Sequence, residues 1–390
     1  GQGTTRTVNV TGGILNVGEV NGPIGLTKQG IGTLVFNTQG NTANASHIGG
    51  ALDVQAGTVQ FNLTDATGSD AFTGDLSVAD GLTGSGTVAN GAGQERWLQL
   101  TTITDSTFTG TLVDGPGGGA LGLMKLGAGT QTFTGNNTST GPTTVNAGTL
   151  AVTEGGVLNA NNVYLANINT GTATATLNVN GGTLSASAQI RVSDGQNNAV
   201  AAQGTLNVAN GSVSCENDLI VGFAGNSSTY GELNIGTGGT VNVGSTTNRW
   251  LIVNQWDSAQ GRINIDGGTL NVNGDTDIMF STGNGTGTSS ITLTSGAING
   301  GAGSYMDLNR AGGGVNNTVN LNGGTLTIAG ILSNNNSGTR VINFNGGTLK
   351  AAGANANFIT ATAASAAHVL AGGATLDDNG FAITVAQAFD

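Results

Sequence analysis

Residues 233–243 read LNIGTGGTVNV, and this stretch decides the fold. Leu233-Asn234-Ile235 puts apolar side chains at alternate positions, the signature of a half-buried strand. A Gly-containing turn follows, and then a second alternating strand in GGTVNV from Gly238. The same unit recurs on both sides. Its first strand is Leu177-Asn178-Val179, Leu206-Asn207-Val208, Ile263-Asn264-Ile265, Ile291-Thr292-Leu293, Val319-Asn320-Leu321 and Ile342-Asn343-Phe344. Including the copy at Leu233, successive starts are 29, 27, 30, 28, 28 and 23 residues apart. Its second strand returns as GGTLSA from Gly181, GGTLNV from Gly267, GGTLTI from Gly323 and GGTLKA from Gly346. A third strand closes most copies: Val163-Tyr164-Leu165, Ile190-Arg191-Val192, Leu219-Ile220-Val221, Leu251-Ile252-Val253, Ile278-Met279-Phe280 and Met306-Asp307-Leu308.

Three short strands per repeat, each with one set of side chains in and the next out, make a three-sided coil. One coil cannot bury its inward face alone, so coils must stack, strand on equivalent strand. The handedness bias of parallel crossovers makes the stack right-handed. The sequence thus predicts an all-β, right-handed parallel β-helix, a β-solenoid with about 28 residues per coil.

Composition agrees. Gly accounts for 70 of 390 residues, Pro for 3, and charged residues for 8%. Stretches rich in Gly, Asn and Thr do not hold a helix. The formal net charge of -12, without a basic stripe, argues against nucleic acid as a partner. No apolar run is long enough to span a bilayer. The start, GQGTTRTVNV, has neither the charged nor the apolar part of a signal peptide, so we expect a mature product or an excised segment. Cys215 is the single cysteine, which excludes an intrachain disulfide.

Stacking turns equivalent positions into rows. Asn178, Asn207, Asn234, Asn264, Thr292, Asn320 and Asn343 form one outward row. Amides in register bond along the axis, so this row reads as a stabilising ladder; a flat ligand-binding face is the other reading. Tyr164, Arg191, Ile220, Ile252, Met279 and Asp307 form a second outward row. Tyr164, Ile220, Ile252 and Met279 in it read as an exposed lateral contact stripe, for a partner or a covering loop. Trp250 and Trp256 flank one third strand, with Tyr230 a coil earlier and Tyr305 nearby. These aromatics suit a partner contact or a glycan platform.

Chemistry is sparse. Arg191 and Asp307 lie four coils apart, too far to act on one bond. His47 and His368 are the only histidines and are distant in sequence, against a shared metal site or a triad. No cofactor is expected. Asp275 with Asp277, and Asp377 with Asp378, are the weak candidates for Ca²⁺, or else decorate turns. Cys215 falls at a core position. Ala351–Ala367 is Ala-rich and is expected as a short helix or loose coil.

The first 160 residues are less regular, but two segments are alike. GLTKQGIGTLVFNTQGNT from Gly25 runs on to IGGALDVQAGTVQF, and Gly122 opens GLMKLGAGTQTFTGNNTSTGPTTVNAGTLAV. Both contain Gly-Leu-x-Lys, Gly-x-Gly-Thr, an Asn-rich turn and a closing Ala-Gly-Thr strand. These segments resemble the autotransporter-associated β-strand repeat of bacterial surface and passenger proteins. The closing stretch GGATLDDNGFAITVAQAF, from Gly372, is similar to stretches of very large secreted β-repeat proteins. The resemblance implies an exported right-handed β-helix, at the cell surface or outside the cell, without implying a ligand.

The expected organisation is therefore irregular solenoid coils over 1–121, an autotransporter-associated repeat over 122–160, regular coils over 161–350 and a C-terminal solenoid segment over 351–390. The expected function is structural and not enzymatic: a rigid stalk or filament subunit. Its strand edges near Gly1 and Asp390 would pair with copies of itself or with neighbouring solenoid domains. The alternative is a carbohydrate-binding or carbohydrate-cleaving β-helix with surface glycans as partners. No membrane insertion is expected of this segment.

Overall fold

The computed structural model describes residues 5–18, 20–37, 46–62, 76–197, 199–244, 249–256, 258–283 and 286–390. The Gly1 edge and most of the Asn-rich turn after Phe36 lie outside the described residues. The chain is an all-β solenoid of parallel stacked sheets with roughly 27 residues per turn, and no helix occurs among the described residues. It divides into two compact units, Gly1–Val163 with Gly181–Ser185, and Tyr164–Asn180 with Ala186–Asp390.

Three parallel sheets build the first unit. One contains Arg6–Asn9, Leu26–Gln29, Leu52–Val54, Leu82–Gly84, Ser106–Phe108, Thr130–Phe133 and Gly148–Thr153. The second holds Ile14–Val17, Thr33–Asn37, Thr58–Asn62, Thr87–Asn90 and Thr111–Val113. A third runs through Ser46–Ile48, Leu76–Val78, Arg96–Thr101, Leu121–Leu126 and Thr143–Val145. Because the strands are in register, like side chains stack: Leu34 on Val59, Val88 and Leu112, all buried. Phe108 and Phe133 meet edge to face at 6.1 Å, the favoured aromatic geometry.

In the second unit the first strands are longer than their three-residue cores. Thr172–Asn180 and Ala201–Ala209 pair along nine residues, with Leu177 on Leu206 and Val179 on Val208. Two coils carry the first and second strands as one, Gln260–Val272 and Thr288–Gly300, with a register shift at Asp266–Gly268. Gly267 (φ +84) turns that corner, a left-handed conformation that side chains with a Cβ avoid. The third sheet contains Ile190–Gly195, Leu219–Phe223, Trp250–Val253, Asp277–Phe280, Tyr305–Asp307, Gly330–Leu332, Asn355–Ile359 and Ile383–Val385.

The Ala-rich stretch departs from expectation. Ala351–Ala367 contains no helix; it supplies strand Asn355–Ile359 and the start of Ala366–Val369. Ala366 and Ala367 pair with Val341 and Ile342, so the sheet ladder satisfies their backbone and overrides the helix preference of Ala.

Candidate functional site

The predicted rows are present in the second unit as registered stacks. Asn207 Nδ2 donates to Asn178 Oδ1 at 2.8 Å, Asn234 to Asn207 at 2.9 Å and Asn264 to Asn234 at 2.9 Å. Beyond Thr292, Asn320 donates to Thr292 Oγ1 at 3.2 Å and Asn343 to Asn320 at 2.8 Å. Each amide thus spends its donor on the coil before it. A second ladder, on the second strands, links Asn299 to Asn271 and Asn271 to Asn242.

In the other row Arg191, Ile220, Ile252, Met279 and Asp307 are in register on consecutive third strands. They do not form an exposed stripe: Ile220, Ile252 and Met279 are 2%, 1% and 6% exposed. The Arg191 guanidinium lies 4.1 Å from the Phe223 ring centre and 5.4 Å from that of Tyr164, and pairs with Asp194 at 3.4 Å. Further along, Ile252 and Met279 floor a cleft of about 290 Å³, walled by Trp250, Trp256, Gln255, Thr282, Arg310 and Ala311.

The structure brings two of the four singled-out aromatics together there. Trp250 opens the strand that carries the floor residue Ile252, and Trp256 follows on the corner after it. Gly283 leaves room for Trp256: a Cβ on it would come 3.0 Å from the indole. Tyr305 is outside the cleft; its backbone N–H donates to Asp277 Oδ1 at 2.8 Å, on the strand where Asp277 pairs with Trp250. Tyr230 belongs to a different sheet, in register with Gln203 and Gln260, with the Arg262 guanidinium 5.1 Å from its ring centre.

The carboxylates mostly cap backbone. Asp218 accepts from the Trp250 N–H at 3.1 Å, as Asp277 does from Tyr305. Burial holds Asp277 and Asp307 above the usual carboxylate range. Asp377 pairs with Lys350 at 2.9 Å and caps Asn379, while Asp378 caps Gly380. Among the described residues no three His, Cys, Asp or Glu side chains converge as a metal site. Cys215 is buried, its thiol pushed up to about 12 by burial, within reach of the Ala188 and Asp218 carbonyls.

The first unit holds a feature the sequence displayed without explaining. The lysine of each Gly-Leu-x-Lys is fully buried. Lys28 Nζ donates to the carbonyls of Gln29, Gly30 and Ala56 at 2.9, 2.7 and 2.9 Å. Lys125 Nζ donates to those of Leu126, Gly127 and Ala147 at 2.8, 2.7 and 3.2 Å. An ammonium has three donors, and three carbonyls use all of them. In each case the third carbonyl belongs to the closing Ala-Gly-Thr, one coil on. Lys therefore ties the opening of its segment to its close.

Those two segments are the ones a known family matches. The passenger-associated-transport-repeat model covers residues 26–61 and 123–152. The chain carries passenger-associated-transport repeats. No curated protein and no solved structure matches the chain. Each transport repeat starts on the strand carrying the buried lysine and ends within the strand that follows the Ala-Gly corner, so the lysine and the carbonyl it reaches one coil on both lie inside the matched length. Sequence reading found the Lys in both transport repeats but not its role. The signal available was a Lys at an inward position of an alternating strand, two residues before a corner Gly.

Proposed function

We propose that this chain is a structural segment of an exported passenger, a rigid solenoid stalk that spaces or presents and does not catalyse. The transport repeats and the parallel β-solenoid fit a passenger's structural domain in a secreted or cell-surface setting. The observation that carries the reading is how the polar groups are used. Asn ladders, Asp caps and buried lysines are spent on joining one coil to the next. This arrangement gives stiffness along the stack, the property a spacer needs.

The last strands, Ala366–Val369, Thr375–Asp377 and Ile383–Val385, present strand edges with Leu370, Leu376 and Phe381 exposed. In this reading a further coil, of a continuing chain or of a second copy, covers them. Negative-stain electron microscopy of the purified chain over a range of concentrations tests the self-assembly part. Fibres of uniform width that lengthen with concentration are expected if copies stack end to end. Particles of constant length at every concentration would remove self-assembly and leave the stalk. Cleavage of any member of a polysaccharide panel would overturn the non-catalytic reading itself.

A further inference from the structure

We infer that the cleft of Trp250 and Trp256 is a binding site for one pyranose ring of a glycan. Both indoles are held well into solvent, 44% and 47% exposed, over an apolar floor of Ile252 and Met279. Large apolar side chains in water are costly, and here they are grouped around a concavity. Its volume, about 290 Å³, sits at the small end of ligand pockets (~300–1,000 Å³), the size of a sugar ring and its substituents.

The rim is polar on one side, as a pyranose is. A sugar ring offers an apolar C–H face to an indole and hydroxyls around its edge. Gln255 lines the same rim with a side-chain amide. Arg310 is half exposed, and its nearest carboxylate, Asp307, is 3.8 Å away, beyond hydrogen-bond length. The guanidinium fork is thus available to hydroxyl or carboxylate oxygens at the same rim. The ring-edge hydroxyls of a sugar supply the acceptor that Arg310 needs, while its C–H face meets the indoles. An aliphatic ligand supplies no acceptor. A proline-rich peptide offers carbonyl acceptors but not a ring of hydroxyls around an apolar face. The chain's negative charge disfavours a nucleic acid base in the same place.

This inference stands apart from the stalk reading, which survives its failure. The test is tryptophan fluorescence and calorimetry on the full chain, titrated with cellohexaose, maltohexaose, chitotetraose and an oligogalacturonate, and separately with decaproline. We expect a saturable emission shift with at least one saccharide. Trp256→Ala and Arg310→Gln should each weaken that binding about tenfold or more, with unchanged circular dichroism and melting. The variants leave the buried floor intact, so they should fold. No saturable response to any saccharide, equal affinity in a Trp250→Ala/Trp256→Ala double variant, or a response to decaproline alone would overturn the assignment.

Discussion

At the scale of single residues, the solenoid tolerates buried charge wherever backbone carbonyls or neighbouring side chains replace water. Burial pulls Lys125 down to about 8, with Asp105 opposing, so at neutral pH the ammonium stays charged and keeps its three carbonyls. Lys125→Met would leave three acceptors without their donor, costing about 3 kcal/mol. A lower urea midpoint and faster hydrogen exchange in Leu121–Leu126 and Gly148–Thr153 would check it. Arg340, also buried, uses the same device against the carbonyls of Ser337 and Ala363. Asp194 shows the opposite charge. Burial raises it from 3.8 to about 6, although Arg191 pulls it down. The folded chain therefore holds this proton more tightly than the unfolded chain, and stability falls as pH rises from about 4 to 6. Asp194→Asn should flatten that slope by roughly 2 kcal/mol, read from urea unfolding at the two ends of the window.

At the scale of elements, corners matter as much as strands. Gly148 has φ +67, and a Cβ there would lie 2.4 Å from the Gly127 carbonyl oxygen, one of the oxygens that Lys125 binds. Gly148→Val would combine backbone strain with a clash against backbone, and we expect a loss of about 3 kcal/mol. Gly118 has φ +78 but open space around its Cβ position, so Gly118→Ala should cost only ~1 kcal/mol. Comparing the two urea midpoints separates crowding from conformation. The strands themselves were legible, since alternation marks both spacing and facing. Their lengths were less so. Thr172–Asn180 extends well before Leu177 because small Ala and Thr side chains carry no strong periodic signal, yet pair perfectly well.

At the scale of the whole molecule, stability is a sum of neighbour contacts between coils, so the weakest points are coils with one neighbour. Leu376 and Phe381, on or next to the last strands described, are exposed. If copies pair there, Leu376→Lys with Phe381→Lys should abolish concentration-dependent association without changing the fold, because a charged edge resists strand pairing. Light scattering over a hundredfold concentration range, with circular dichroism as control, decides it. The buried row of Ile220, Ile252 and Met279 belongs to this scale too. Strand alternation places it on the outward side, yet these residues are buried, because alternation sets facing and not exposure.

Sequence alone determined the repeat, the register and the ladders, because a coil length near 28 residues with apolar alternation admits one way of stacking like on like. Asn178, Asn207 and Asn234 could be paired on paper for that reason. Tertiary structure alone decided the rest. It showed that Lys28 and Lys125 point inward and bridge their repeats. It separated Tyr230 and Tyr305 from the tryptophans, and it assembled Gln255 and Trp256 from one corner and Arg310 from another over one floor. Strand alternation fixes facing along a coil, whereas corner residues do not alternate, and their side chains meet only once the coils have closed.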